Sequence, residues 1–76
     1  MKTVKISLNS IDKVKSFVNV ISQFDSDFDL ISGRYVIDAK SIMGIFSLDL
    51  AQPIDLTIHA DSDEDILKAL DSYLVK

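Results

Sequence analysis

The 76-residue sequence has no cysteine and no tryptophan, one proline, one histidine and two glycines. Without cysteine there is neither a disulfide framework nor a thiolate metal site, so stability has to come from the core alone. With so little proline and glycine, no segment reads as a linker, and neither an internal repeat nor a low-complexity stretch is present. Positive charge is also scarce: eight Lys and Arg stand against twelve Asp and Glu, a net charge of −4. That balance argues against a nucleic-acid partner, whose binders gather Lys and Arg on one face. It argues equally against an anionic membrane surface. No apolar run approaches the ~20 residues of a membrane helix. The opening "MKTVKISLN" alternates apolar and polar residues and has no continuous apolar region of the signal-peptide kind. The expectation is a soluble cytoplasmic protein.

What is present is a normal apolar content of 47%, too high for a disordered chain. The length suits one domain, residues 1–76. Folding such a chain buries only about 60% of its unfolded surface.

Periodicity divides the chain. In "TVKISL", Val4, Ile6 and Leu8 alternate with Thr3, Lys5 and Ser7, the pattern of a strand with one wet face. In "NSIDKVKSFVNVISQF", Val14, Phe17, Val18 and Ile21 fall at helical spacing. Asn9 or Ser10 suits its N-cap, and Asp12 suits its positive first turn. "DSDFDLISGRYVIDA" predicts two strands joined at Ser32-Gly33. Its "DSDFD" imitates the start of a calcium loop, but the sixth and twelfth positions hold Leu30 and Val36 instead of Gly and Glu. A short helix capped by Ser41 follows. In the strand "PIDLTIHA", Ile54, Leu56 and Ile58 share one face. "DSDEDILKALDSYLVK" predicts a last helix, capped by Asp61 or Ser62 and with Asp63, Glu64 and Asp65 in its first turn. Its apolar stripe is Ile66, Leu67, Leu70, Tyr73 and Leu74. The order β-α-β-β-α-β-α, with one apolar face per strand, predicts an α+β open-faced sandwich with a four-stranded antiparallel sheet covered on one face by three helices.

The stretch "AKSIMGIFSLDLA" poses a separate question. On a helical wheel Ile45 and Leu48 fall together, while Ile42, Met43, Phe46 and Leu50 fall on a second, wider arc. A small domain offers one core. Either Ile45 and Leu48 face it and the wider arc is a contact surface, or the wider arc is core and the other two are incidental surface residues. Exposed apolar patches rich in Met and aromatic side chains mark contact sites.

"KSIMG", Lys40–Gly44, followed by "SL" and by "A" before a strand, together with the surrounding run Gln23–Ala60 and "LKALDSYL", resembles HPr, the histidine-containing phosphocarrier of the bacterial sugar phosphotransferase system. The resemblance covers nearly the whole chain and implies the same sandwich fold. It implies that Ile45 and Leu48 pack inward and that Ile42, Met43 and Phe46 form a docking surface, which Leu50 extends. It implies no cofactor, no metal and no enzymatic turnover. The family carries its phosphoryl group on a histidine before the first helix, in a segment like G-[IL]-H-A-R-P. Here that segment reads "LNSIDKVKS". Aligned without a gap from "KSIMG", Ser10 falls at the histidine, Asp12 at the arginine and Lys13 at the proline.

The chemistry makes this departure weighty. A relay needs a nucleophilic imidazole nitrogen that forms a labile phosphoramidate. Amides at the helix start and an arginine then hold the phosphoryl oxygens. A serine would form a stable ester, and an aspartate repels the anion. The expectation is a regulatory protein-binding module that keeps the scaffold but not the relay. Implied partners are enzyme I, an HPr kinase or a transcriptional regulator, and the domain itself is expected to be a monomer or a weak homodimer. Ser41 matches the serine that an ATP-dependent kinase phosphorylates in Gram-positive members, and it serves equally as a plain N-cap. The rival expectations are an atypical phosphocarrier using Ser10 or His59, and a self-associating structural domain. Asp61 and Asp63 beside His59 disfavour a phosphoryl group there.

Overall fold

The computed structural model describes residues 2–75. Met1 and Lys76, the ends of the expected 1–76 domain, lie outside the described residues. The elements run β1 (Lys2–Ile6), α1 (Ile11–Ile21), β2 (Asp27–Ser32), β3 (Tyr35–Asp38), α2 (Ile42–Phe46), β4 (Ile54–His59) and α3 (Glu64–Ala69), followed by a 3₁₀ turn at Asp71–Tyr73. The sheet order is β1-β4-β2-β3 and every pairing is antiparallel.

Alternation decides which side of the sheet the helices cover. Ile6 of β1, Phe28 and Leu30 of β2, and Ile54, Leu56 and Ile58 of β4 are buried on one side. Val14, Phe17 and Ile21 of α1, Ile45 of α2 and Ile66 of α3 meet them, with Leu8, Leu48, Leu70 and Tyr73 closing the ends. The other side of the sheet is open; it is polar over β1 and β4 and carries Ile31 and Val36 beside the β2–β3 hairpin. There Lys5 pairs with Asp55 at 3.0 Å, and the Thr3 and Thr57 hydroxyls share a hydrogen bond of 3.1 Å. Thr57 is nonetheless buried, because it sits on a central strand flanked on both sides.

The hairpin and the last helix differ from expectation. Ser32 pairs with Tyr35, so the β2–β3 turn is Gly33-Arg34 rather than Ser32-Gly33. Gly33 takes φ +59°, while Arg34 keeps a negative φ. Only the first central residue therefore needs the left-handed region, the requirement of a type II′ hairpin turn. The last helix is capped at Asp63 rather than Asp61 or Ser62, and the Asp63 side chain makes no capping hydrogen bond. It ends at Ala69, because the chain then turns back to β1. Ser7 N donates to Tyr73 O (2.9 Å), Val75 N donates to Lys5 O (3.0 Å), and Ile6 bridges Leu74. The C-terminal segment thereby covers the outer edge of β1. Tyr73 locks that return: its hydroxyl shares a 2.6 Å hydrogen bond with Ser16 Oγ, and its ring meets Phe17 edge-on at 5.7 Å.

Candidate functional site

Two helix starts, one short helix and the end of β4 carry the residues singled out in the sequence. Ser10 is the N-cap of α1, with extended backbone angles (φ −148°, ψ 157°). Its Oγ accepts a hydrogen bond from Lys13 N at 3.2 Å, and its carbonyl accepts from Val14 N at 3.1 Å. The hydroxyl oxygen thus satisfies one of the amides that a helix start leaves without a partner. Asp12 is exposed in the first turn of α1, where its charge favours the helix and opposes an incoming anion. Asn9 precedes the cap by one residue and lies outside the helix.

Ser41 repeats the arrangement on α2. Its Oγ accepts from Gly44 N at 3.3 Å and its carbonyl from Ile45 N at 3.0 Å, while its own N–H donates to Asp38 O at 2.9 Å. Gly44 is explained by closeness: a Cβ there would lie 3.2 Å from Ser41 Oγ and 3.4 Å from Ile37 Cδ1. Lys40 is anchored as well. Its Nζ donates to Phe24 O at 2.8 Å and stands 5.5 Å from the centre of the Phe28 ring. The "KSIMG" motif is therefore a compact cap in which three of five residues have an identifiable local partner.

The two apolar arcs resolve as follows. Ile45 is fully buried and Leu48 nearly so. Met43 is 77% exposed and Phe46 38% exposed. Ile42 and Leu50 are half-buried and pack against the core. This corrects the uniform wider arc: α2 ends at Phe46, so the helical wheel does not extend to Leu50. Ile42, the first helical residue, leans onto the core from the helix start. The exposed apolar face of α2 is Met43 and Phe46, bordered by Ile42 and Leu50.

His59 lies at the end of β4 on the open side of the sheet. Its Nε2 is 2.8 Å from Asp29 Oδ2, and it lines a surface pocket with Asp27, Phe28, Asp29 and Asp38. The carboxylates around it come from β2 and β3, which sequence adjacency could not reveal; Asp61 and Asp63, its sequence neighbours, are not among the pocket residues. Strand register was the missing signal, since Asp27 pairs with His59 and Asp29 with Asp38. Among the described residues no group of three or more His, Cys, Asp or Glu side chains is arranged to hold a metal ion. Nor is any helix long and apolar enough to cross a membrane.

Fold and site together define a small open-faced sandwich protein in which Ser10 and Ser41 cap two helix starts and His59 lies on the open side of the sheet. Residues 13–75 match the family model described as the PTS HPr component phosphorylation site. HPr-C-His from Thermoanaerobacter tengcongensis is 32% identical, over 95% of this chain and 89% of that one, with a TM-score of 0.78. The phosphocarrier protein HPr from Bacillus anthracis str. Ames is 33% identical, over 97% and 94%, with a TM-score of 0.70. A Mycoplasma histidine-containing phosphocarrier protein is 18% identical, over 99% and 97%, with a TM-score of 0.68, a likeness of fold. The chain belongs to the HPr family of the phosphotransferase system, whose members are phosphocarrier proteins and not enzymes.

Proposed function

We propose that this HPr-family chain works as a regulatory protein-binding module rather than as a phosphoryl relay. The observation that carries the reading is the state of Ser10. It stands at the acceptor position of the gapless alignment, its oxygen already accepts the Lys13 amide, and the next-but-one residue is the anionic Asp12. A hydroxyl lacks the ring nitrogen that a labile phosphoramidate needs, and the loss of the arginine removes the cation that would hold the phosphoryl oxygens. Relocation to His59 is disfavoured by Asp27, Asp29 and Asp38 around it, since three carboxylates repel a phosphoryl donor.

The tool that remains is α2. Met43 and Phe46 offer an exposed apolar face on a helix held from beneath by Ile45 and from its start by Ser41. Both residue types are enriched in protein contacts. The partners are proteins of the phosphotransferase network in the cytoplasm: enzyme I, an HPr kinase or a transcriptional regulator. Ser41 is exposed on the same helix start, within reach of a kinase, and a phosphate on it would face the first-turn amides.

Affinity capture from the native cytosol, with wild type and Met43→Asp compared side by side, tests the docking face. A network protein retained by wild type and lost by the variant supports it; retention of that protein by both places the contact elsewhere. For Ser41, ATP-dependent labelling by HPr kinase is expected on wild type and not on Ser41→Ala. Equal labelling of the two removes Ser41 as the site.

A further inference from the structure

The two outer edges of the sheet are finished differently. The edge of β1 is covered by the C-terminal segment through the Ser7–Tyr73 and Val75–Lys5 hydrogen bonds. The edge of β3 receives one such bond, from Ser41 N to Asp38 O. A two-residue hairpin loop makes Ser32 and Tyr35 a hydrogen-bonded pair. The Ala39 N to Phe28 O bond of 2.9 Å continues the same parity. Tyr35, Ile37 and Ala39 thus turn their backbone groups toward β2, and Val36 turns its N–H and C=O outward. Two apolar side chains on this edge are exposed, Tyr35 by 69% and Val36 by 63%, and the strand ends on the exposed Asp38. Open strand edges with apolar side chains are templates for pairing, and β3 carries no lysine, proline or bulge to blunt it.

From this edge we propose that β3 pairs antiparallel with β3 of a second copy, giving a weak two-fold dimer with a continuous eight-stranded sheet. Among the registers that present outward backbone groups to one another, two centre on the middle of β3. With the axis at Val36, each Val36 N–H donates to the other Val36 C=O, and Arg34 comes opposite Asp38 of the second copy, twice by symmetry. With the axis at Ile37, Arg34 would face Lys40 of the second copy, a like-charge pair; in either register the Asp38 carbonyl, which accepts from Ser41 N, takes a second donor. Charge complementarity selects the Val36 register. Arg34 forms no ion pair within the chain among the described residues, so its charge is available. On the open face Ile31, the partner of Val36 in β2, extends the apolar row across both copies. Two four-residue strands bury too little area for a permanent interface, so association belongs to the weak class.

Sedimentation velocity on the intact protein, from micromolar to about 1 mM, tests this. Wild type is expected to dimerise with rising concentration. Val36→Pro, which removes the outward N–H, and Val36→Lys, which blunts the edge and keeps it, are both expected to remain monomeric while circular dichroism reports an intact fold. Arg34→Glu is expected to lower the association constant about tenfold, two exposed ion pairs being lost together. Adding Asp38→Arg to it is expected to restore the lost affinity. A wild type that stays monomeric throughout overturns the proposal. So does a dimer that survives both Val36 variants, or one indifferent to charge reversal; if such a dimer dissolves on Met43→Asp, the contact lies on α2.

Discussion

Ser10 and Ser41 show how much one hydroxyl decides. Each is exposed, has extended backbone angles and accepts a hydrogen bond from the amide three residues on. Ser10→Ala is expected to lower stability by about 1 kcal/mol, the ordinary value of an N-cap, measured by urea unfolding. No loss of phosphoryl transfer should accompany it. The chemistry of a relay is a separate matter. The double variant Ser10→His/Asp12→Arg is expected to accept a phosphoryl group from phosphorylated enzyme I, whereas Ser10→His alone, still facing Asp12, should accept it far more slowly; labelling time courses compare the two. Gly44 is coupled to the Ser41 cap. A Cβ at Gly44 crowds Ser41 Oγ at 3.2 Å, so Gly44→Ala should be better tolerated in a Ser41→Ala background than in wild type. A double-mutant cycle in urea reads that difference directly.

At the scale of elements, α2 separates structure from surface within five residues. Ile45→Ala removes a fully buried side chain and is expected to cost about 2–5 kcal/mol. Met43→Asp, on the exposed side, should stay within about 0.5 kcal/mol of wild type by the same unfolding measurement. The division of Ile45 and Leu48 from Met43 and Phe46 was legible because period and amphipathicity are local. Leu50 was misplaced because a wheel carries no information about where a helix stops. The same limit explains the last helix. Its stripe of Ile66, Leu70 and Tyr73 was legible, but its break after Ala69 depends on a distant partner, the backbone of β1. The hairpin shifted by one residue because Ser32-Gly33 and Gly33-Arg34 both supply the glycine a turn needs, and only strand register distinguishes them. Likewise the carboxylates around His59 come from neighbouring strands, a pairing invisible in the linear order.

At the scale of the whole molecule, the chain has the architecture of its family, and the proposed loss of the relay concerns the start of α1 alone. Strand alternation and helix spacing specify a four-stranded sheet and one core, and position 10 enters them only as the cap of α1. The scaffold can therefore persist when the relay is absent: the cap that starts α1 needs only an oxygen acceptor, which serine supplies. A phosphoryl carrier needs more, namely a ring nitrogen and a cation, and the start of α1 presents a hydroxyl and a carboxylate. The direct test is incubation of the intact protein with phosphoenolpyruvate and enzyme I, followed by intact mass measurement before and after mild acid. The account predicts an unmodified mass under conditions in which a functional HPr is fully phosphorylated. An added phosphoryl group that acid removes would contradict it.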